Sequence, residues 1–399
     1  MGMRMVCHRR TFLRSAASIL IASPTMAEPT PLQAFLLKLW PDAAARGVNR
    51  ATFDAAFAGF MPEERVLAAT RRQPEFNRAI GVYINGIATP QRIEGARQRA
   101  ATWAKTLQTI EAEYEVDRWI ILALWGIETS FGANTGGFDV IRSLATLALS
   151  DYRPDYFRDE LLAALQVLQD GHIARDKMQG SWAGAMGQPQ FMPSNLLSLA
   201  VDVDGDGRKN IWTSVPDVLA SIANYMRHHG WKPGLTWGCE VLIPKSFDFH
   251  RSRATFADWA KLGVKRADGK PLRGSETATL YFPSGARGPA FLVTSNFVAI
   301  KRYNNSDSFA LAVSHLADRA RGEGPVRAVW PAQDPQLARS ERIALQRKLA
   351  ELGYTVNDFE GRFDFDLRDN IREQQVKFGM RPDGHPTQAL LQHLGIVAR

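Results

Sequence analysis

Cysteine is almost missing from this chain: Cys7 and Cys239 are the two among 399 residues. If a leader carrying Cys7 is removed, one cysteine remains, no intramolecular disulfide is possible, and the fold must stand on its packed core. Beyond the first 30 residues there is no apolar run near the roughly 20 residues a membrane-spanning helix requires, which excludes an integral membrane protein built of helices. Charge of one sign is scarce too. The formal net charge of +8 comes from 49 Lys and Arg against 41 Asp and Glu. Four of those arginines, Arg4, Arg9, Arg10 and Arg14, fall in the first 27 residues, where there is no acid. Without them the balance is 45 against 41. A mildly basic chain suits an anionic polymer or surface but lacks the dense basic footprint of a nucleic-acid binder. What is present is ordinary: 45% hydrophobic and 23% charged residues, enough for two or three domains with a sizeable core. Disordered, collagenous and coiled-coil chains are excluded.

Residues 1–27 read as a signal peptide. Arg9-Arg10-Thr11-Phe12-Leu13 forms a basic start, Ser15 to Ser23 a short apolar stretch, and Pro24-Thr25-Met26-Ala27 a small-residue cleavage site after Ala27. The twin arginine fits a Tat signal; an ordinary Sec signal fits as well. Cys7 precedes the apolar stretch, so it is not a lipoprotein cysteine. The expected location is the periplasm.

Residues 32–235 carry helical spacing. Helices are expected over Leu32–Leu39, Gln91–Tyr114, Val116–Glu128 with Asp117 as cap, Asp155–Gln169 and Pro216–His229. Residues 236–302 change character: Glu240–Ile243, Ala278–Phe282 and Ala290–Thr294 read as strands of a small sheet. Asp307–Ala320 returns to helix. Gly322–Pro335 reads as a linker, and the remainder as a small helical module with helices marked by Ile343–Leu352, Ile371–Phe378 and Gln388–Leu394.

Glu128 ends the most apolar of these helices, in Leu124-Trp125-Gly126-Ile127-Glu128-Thr129-Ser130-Phe131-Gly132. A carboxyl held against Trp, Ile and Phe loses hydration, which favours its protonated form and suits a general acid for a glycosidic oxygen. A helix-end Glu that turns to solvent or pairs with an Arg is the structural alternative. Standard glycoside hydrolysis uses two carboxylates, and the next acid downstream is Asp139. A second feature is Gly180-Ser181-Trp182-Ala183-Gly184-Ala185-Met186-Gly187-Gln188-Pro189-Gln190-Phe191-Met192-Pro193-Ser194. Its small residues permit close backbone approach to a ligand, its Trp, Phe and Met offer faces for a sugar ring, and Gln190 both donates and accepts hydrogen bonds. A tight turn that merely packs is the alternative. A third is the polar cluster Lys301-Arg302-Tyr303-Asn304-Asn305-Ser306. Cys239 reads as a small buried hydrophobe, and the histidines show no spacing for a catalytic or zinc site.

Together, Gly-Ile-Glu-Thr-x-x-Gly at 126–132, Gly-Ala-Met-Gly-x-x-Gln-Phe-Met-Pro-Ser at 184–194 and Arg-Tyr-Asn-x-Ser at 302–306 resemble the lytic murein transglycosylase B family, soluble exported members included. Arg72-Gln73-Pro74-Glu75-Phe76 also fits. The resemblance implies a mainly α (α+β) fold: a lysozyme-like helical catalytic domain over 28–322 with a β-rich part about 236–302. It also implies cleavage of the β-1,4 bond between N-acetylmuramic acid and N-acetylglucosamine. In this family the muramic acid's own C6 hydroxyl, not water, attacks C1 and leaves a 1,6-anhydro end, so a single acid/base, here Glu128, suffices. Ser181, Met186, Gln190, Tyr303 and Asn304 fall where members contact substrate. Two departures stand out: Gln188-Pro189 replaces the Tyr-Gly of some members, and Phe309 replaces a frequent Tyr. A hydrolytic muramidase, or a non-catalytic scaffold that binds peptidoglycan, are the competing functions. No catalytic cofactor is implied. The partners implied are peptidoglycan glycan strands and other cell-wall enzymes, with no nucleic acid and no membrane span.

Asp202-Val203-Asp204-Gly205-Asp206-Gly207-Arg208 matches the first half of an EF-hand loop, with oxygen ligands at Asp202, Asp204 and Asp206 and the carbonyl of Arg208. Thr213 stands where the closing Glu belongs. The resemblance suggests a lengthened loop closed by Asp217 around a structural calcium. An Asp/Gly turn capped by its own side chains is the alternative. Finally, Leu345-Gln346-x-x-Leu349-x-x-Leu352-Gly353-Tyr354, Glu360-Gly361-Arg362-Phe363-Asp364, Gln375 and Arg381-Pro382-Asp383-Gly384 resemble a three-helix peptidoglycan-binding domain over 337–399, after a linker at 323–336. Phe365, Leu367 and Gln374 depart from its usual Gly, Thr and aromatic. A tethered weak binder would raise the enzyme's local concentration on an insoluble polymer; a module that only packs on its neighbour is the alternative.

Overall fold

The computed structural model describes residues 1–2, 30–70 and 79–396. The signal peptide expected over 1–27, beyond its first two residues, the Arg72–Phe76 string and the last three residues lie outside them.

The helical part is built around Arg118–Thr129. Asp117 starts it by accepting the Trp119 N–H at 2.9 Å. Every residue from Ile120 to Gly126 is buried. Helices Pro90–Thr102, Val215–His228 and Asp307–Arg321 pack around it, so it is apolar on all sides rather than along one stripe. Its polar start is pinned by the ion pairs Arg118–Glu111 and Arg321–Asp117. The expected helix over Gln91–Tyr114 is two, Pro90–Thr102 and Ala104–Tyr114. Trp103 leaves helical geometry between them (φ −103°, ψ 24°) and packs its ring against the core.

A two-stranded ribbon pairs β1 (Phe138–Asp139) with β2 (Gln179–Gly180). The larger sheet contains β3 (Gly238–Leu242), β4 (Arg253–Thr255), β5 (Lys265–Arg266), β6 (Thr277–Tyr281) and β7 (Ala290–Val293), in the antiparallel order β4-β6-β7-β3-β5. Strand β7 is buried on both faces. Ala290 and Leu292 join a small core with Cys239, Val241 and Trp259, while Phe291 and Val293 join the helical core. Its unbroken apolar run follows from that double burial. Two helices, Phe256–Lys261 and Ser295–Lys301, interrupt the region read as strand-rich.

The C-terminal module packs helices Arg339–Glu351, Phe365–Lys377 and Gln388–His393 around Leu345, Leu349, Leu367, Ile371, Leu390 and Leu391. It is docked, not loosely tethered. Glu240 accepts the N–H groups of Arg327 and Ala328 at 2.8 and 2.7 Å, and Asp334 accepts the Ser284 hydroxyl at 2.8 Å. The module's Arg368 pairs with Asp307 at 2.7 Å, and Lys301 reaches both Asp307 and the Phe363 carbonyl at 2.7 Å. The departures from the module's usual pattern acquire a reason. Phe365 crosses the interface onto Tyr281 and Phe297, with ring centroids 5.7 and 6.3 Å away. Gln374 is buried and donates to the Tyr354 hydroxyl at 2.7 Å. No helix among the described residues is long and apolar enough to cross a membrane.

Candidate active site

Glu128 sits half-buried one residue from the end of the central helix. Three consecutive residues after it have positive φ: Ser130 (50°), Phe131 (61°) and Gly132 (85°). This reversal folds Phe131 back onto the helix, edge-on to Trp125 at 5.5 Å. A Cβ on Gly126 would stand 2.7 Å from that ring, and so would one on Gly95 of the neighbouring helix. Gly126 and Gly95 are therefore a seat for Phe131.

Gln188 fastens this helix end. Its Oε1 accepts the Trp125 indole N–H at 2.8 Å, its Nε2 donates to the Trp212 carbonyl at 2.9 Å, and its carbonyl accepts the Thr129 hydroxyl at 2.8 Å. Thr129 Oγ1 in turn accepts the Gly132 N–H at 3.0 Å. Residues on both sides of Glu128 are thus tied to one buried residue, Trp125 to its side chain and Thr129 to its backbone. Gln188 faces inward, with both ends of its amide engaged. Its role and that of Thr129 were not read from the sequence; the Glu-Thr pair was the available signal.

The loop after β2 rises beside this helix. Ser181 Oγ accepts the Ala185 N–H at 3.1 Å, and Ala185 O accepts the Ser181 N–H at 2.8 Å. Met186 and Phe191 exchange both backbone hydrogen bonds. Gln190 adopts a left-handed backbone (φ 51°), and its amide donates to Thr135 O at 3.0 Å and Gly187 O at 2.9 Å. Both of its donors are committed to holding the loop, so its oxygen is the atom it offers a ligand. One expectation is corrected here. Met186 is fully buried, so its side chain has no surface for a sugar and serves the core.

Tyr303 closes the site from the other side. Its hydroxyl donates to Pro189 O at 2.7 Å, and its ring packs on Tyr225, Phe191 and Phe309. Burial, then the nearby charges of Glu128 and Tyr225, push its pKa well up. Burial pushes Tyr225, missed in the sequence reading, to about 12, with Glu128 again contributing. Both phenols are neutral at physiological pH, so they act as walls and donors, not bases. Phe309 is buried against Tyr303, a place where a phenol would need its own partner. Asn304 is exposed beside Trp182. Cys239 is buried with its thiol pushed up to about 11, which makes it inert.

At the acidic loop, Asp202, Asp204 and Asp217 bring carboxylate oxygens within 4.8 Å of one another. Asp206 is not in that group; it accepts the Arg208 N–H at 2.8 Å, and the Arg208 carbonyl accepts the Asn210 N–H. Asp206 and the Arg208 carbonyl thus also serve the turn's own backbone. Asp202 accepts the N–H groups of Gly205 and Gly207 at 2.8 Å, while buried Asp217 accepts those of Val203 and Asn210. Burial raises the pKa of Asp217 despite those bonds. Three converging hard oxygen donors, one of them buried, suit a cation such as calcium.

Fold and site together place one half-buried carboxyl, Glu128, at the end of a buried helix beside the 181–191 loop and Tyr303. The chain belongs to the transglycosylase SLT domain family, which matches residues 32–318; residues 338–394 match a peptidoglycan binding domain. It is 34% identical over 210 residues to the membrane-bound lytic murein transglycosylase B of Escherichia coli, a match over 51% of this chain and 56% of that protein. The chain thus spans about half the length of that curated relative. Among solved structures, SltB3 from Pseudomonas aeruginosa in complex with NAG-anhNAM-pentapeptide matches with a TM-score of 0.82 and 43% identity, over 91% of this chain and 99% of SltB3. The E. coli lytic transglycosylase Slt35 in complex with calcium matches with a TM-score of 0.62 and 28% identity, over 74% and 94% of the two chains. The mainly helical, lysozyme-like fold with its small sheets is the fold of these lytic transglycosylases, and the SltB3 match, over 91% of this chain, takes in the C-terminal module.

Proposed function

We propose that this chain is an exported, periplasmic lytic transglycosylase that cleaves the β-1,4 bond between N-acetylmuramic acid and N-acetylglucosamine in peptidoglycan. Glu128 is its single general acid/base. Protonated Glu128 gives its proton to the glycosidic oxygen as the bond from C1 breaks. The resulting carboxylate then removes the C6 hydroxyl proton as O6 bonds to C1, closing the 1,6-anhydro ring and restoring the acid. No water is consumed, and every proton is returned. The N-acetyl group of the substrate offers stabilisation of the cationic centre. Ser181, Gln190, Tyr303 and Asn304 line the sugar's path.

The observation that carries this reading is the seat of Glu128, at the end of a buried helix beneath the 181–191 loop and within electrostatic reach of two neutral tyrosines. The family membership supports it. Calcium, where bound, sits at Asp202, Asp204 and Asp217 and stiffens the loop; it has no step in the chemistry. Mass spectrometry of fragments released from purified sacculi tests the reading. Anhydro ends are expected; reducing ends would make the chain a hydrolase, and binding without release would make it a scaffold.

A further inference from the structure

A second cleft of about 180 Å³ lies where the catalytic part meets the module. One wall is Arg153, Tyr152 and Tyr156 with Trp182 and Asn304; the other is Arg339, Arg342 and Glu360–Arg362. Four arginines face one acid. Glu360 is shared by Arg362 at 2.8 Å and Arg153 at 3.5 Å. The other acids that act on this lining are engaged elsewhere. Glu341 accepts the Ala338 N–H and the Gln388 amide, and buried Glu160 accepts the N–H and hydroxyl of Ser194. Arg342 is fixed in plane by donating to Gly361 O at 2.7 Å and Leu337 O at 2.5 Å. Burial, and then the charge of Arg339, push its pKa down to about 10. An arriving anion favours the charged form of such a group. Arg153 lies over the Tyr156 ring at 4.3 Å, so the cationic wall is also an apolar one.

Trp182 follows Ser181, and Asn304 follows Tyr303. The segments that frame Glu128 therefore run directly into this cleft. An occupant that arrives with the glycan, carries carboxylates and has amide and alkyl surface for the aromatic wall fits it on every count. We infer that the arginine cleft binds the carboxylates of the peptide substituents on the glycan strand, so that the module's helix Arg339–Glu351 forms part of the substrate site. This rests on the peptidoglycan reading above. It changes the module's task from tethering to recognising peptide-bearing strands.

The test uses the full mature chain carrying Glu128→Gln, so that nothing is turned over. Affinity is measured by calorimetry for peptide-bearing glycan strands and for the same strands stripped of peptide by an amidase. Arg339 is exposed, so Arg339→Ala and Arg339→Glu leave the fold intact, which unchanged melting checks. Arg339→Glu is expected to weaken peptide-bearing strands about tenfold, Arg339→Ala less, and stripped strands by under about twofold, with added salt erasing the contrast. Equal weakening of both strands, or none for the peptide-bearing one, overturns the inference. So does full displacement of peptide-bearing strands by millimolar inorganic phosphate, which assigns the cleft to phosphate. Failure of the Glu128→Gln chain to bind either strand instead overturns the peptidoglycan reading, and this inference with it.

Discussion

Glu128 is surrounded by residues whose own positions are over-determined. Phe131 is wedged between two glycines, Trp125 is hydrogen-bonded to Gln188, and Thr129 is bonded to the same residue's carbonyl. Such a shell suits the narrow geometry that the proton transfer proposed for Glu128 requires. Another acid shows what burial does without a role in chemistry. Asp318, which accepts the Trp237 indole N–H at 3.0 Å, is pushed up to about 6, chiefly by burial. Its folded pKa exceeds its unfolded one, so folding binds a proton between about pH 4 and 6. The group therefore costs stability as pH rises through that window. Asp318→Asn keeps an acceptor for Trp237 and removes the penalty. Its melting temperature at pH 7, relative to pH 4.5, should rise by a few degrees over the parent chain. An unchanged pH dependence would show that Asp318 does not titrate there.

At the scale of elements, the sequence was most legible where one rule acts alone. The central helix, its Asp117 cap and the helices Pro154–Gln169 and Asp307–Arg321 follow directly from apolar spacing and turn residues. The break at Trp103 was hidden, because the helical pattern continues across it and only packing turns the ring inward. Phe256–Lys261 was hidden because a two-turn helix between strands carries too few apolar repeats to register. At the site, the motifs gave Glu128 and the loops, but not Tyr225, which comes from a distant helix with no local signal. The EF-hand spacing picked out Asp202 and Asp204, which the fold brings together with Asp217; alternate acids in a turn also serve their own backbone, as Asp206 does. Calcium is expected to raise the melting temperature of the parent chain and to leave Asp217→Asn unmoved. Equal responses would place any bound calcium elsewhere.

At the scale of the whole molecule, the linker and module behave as part of the catalytic body. Arg368 is buried against Asp307 and the Gly384 carbonyl, and Arg372 donates to Leu280 O at 2.8 Å. Removing one partner of a buried pair costs roughly 3–5 kcal/mol. The parent chain should therefore unfold in a single transition. Phe365→Gly combined with Arg368→Ala should split it into two and open the 323–336 segment to protease. A single transition in the double variant would mean that the interface rests on other contacts. The sequence alone pointed to a tether, since Gly, Pro and Asp in a linker do not reveal that Asp334 and Glu240 pin it down. Under the proposed function, a docked module means that a glycan strand meets one continuous surface, with Glu128 half-buried beside the loops that lead to it. The measurement that goes straight to that centre is mass spectrometry of sacculus digests by the parent chain and by Glu128→Gln. Anhydro-muropeptides from the parent chain, falling by at least about a thousandfold in the variant, are the expected result. Anhydro products at parental rates from Glu128→Gln, or reducing ends from the parent chain, would contradict it.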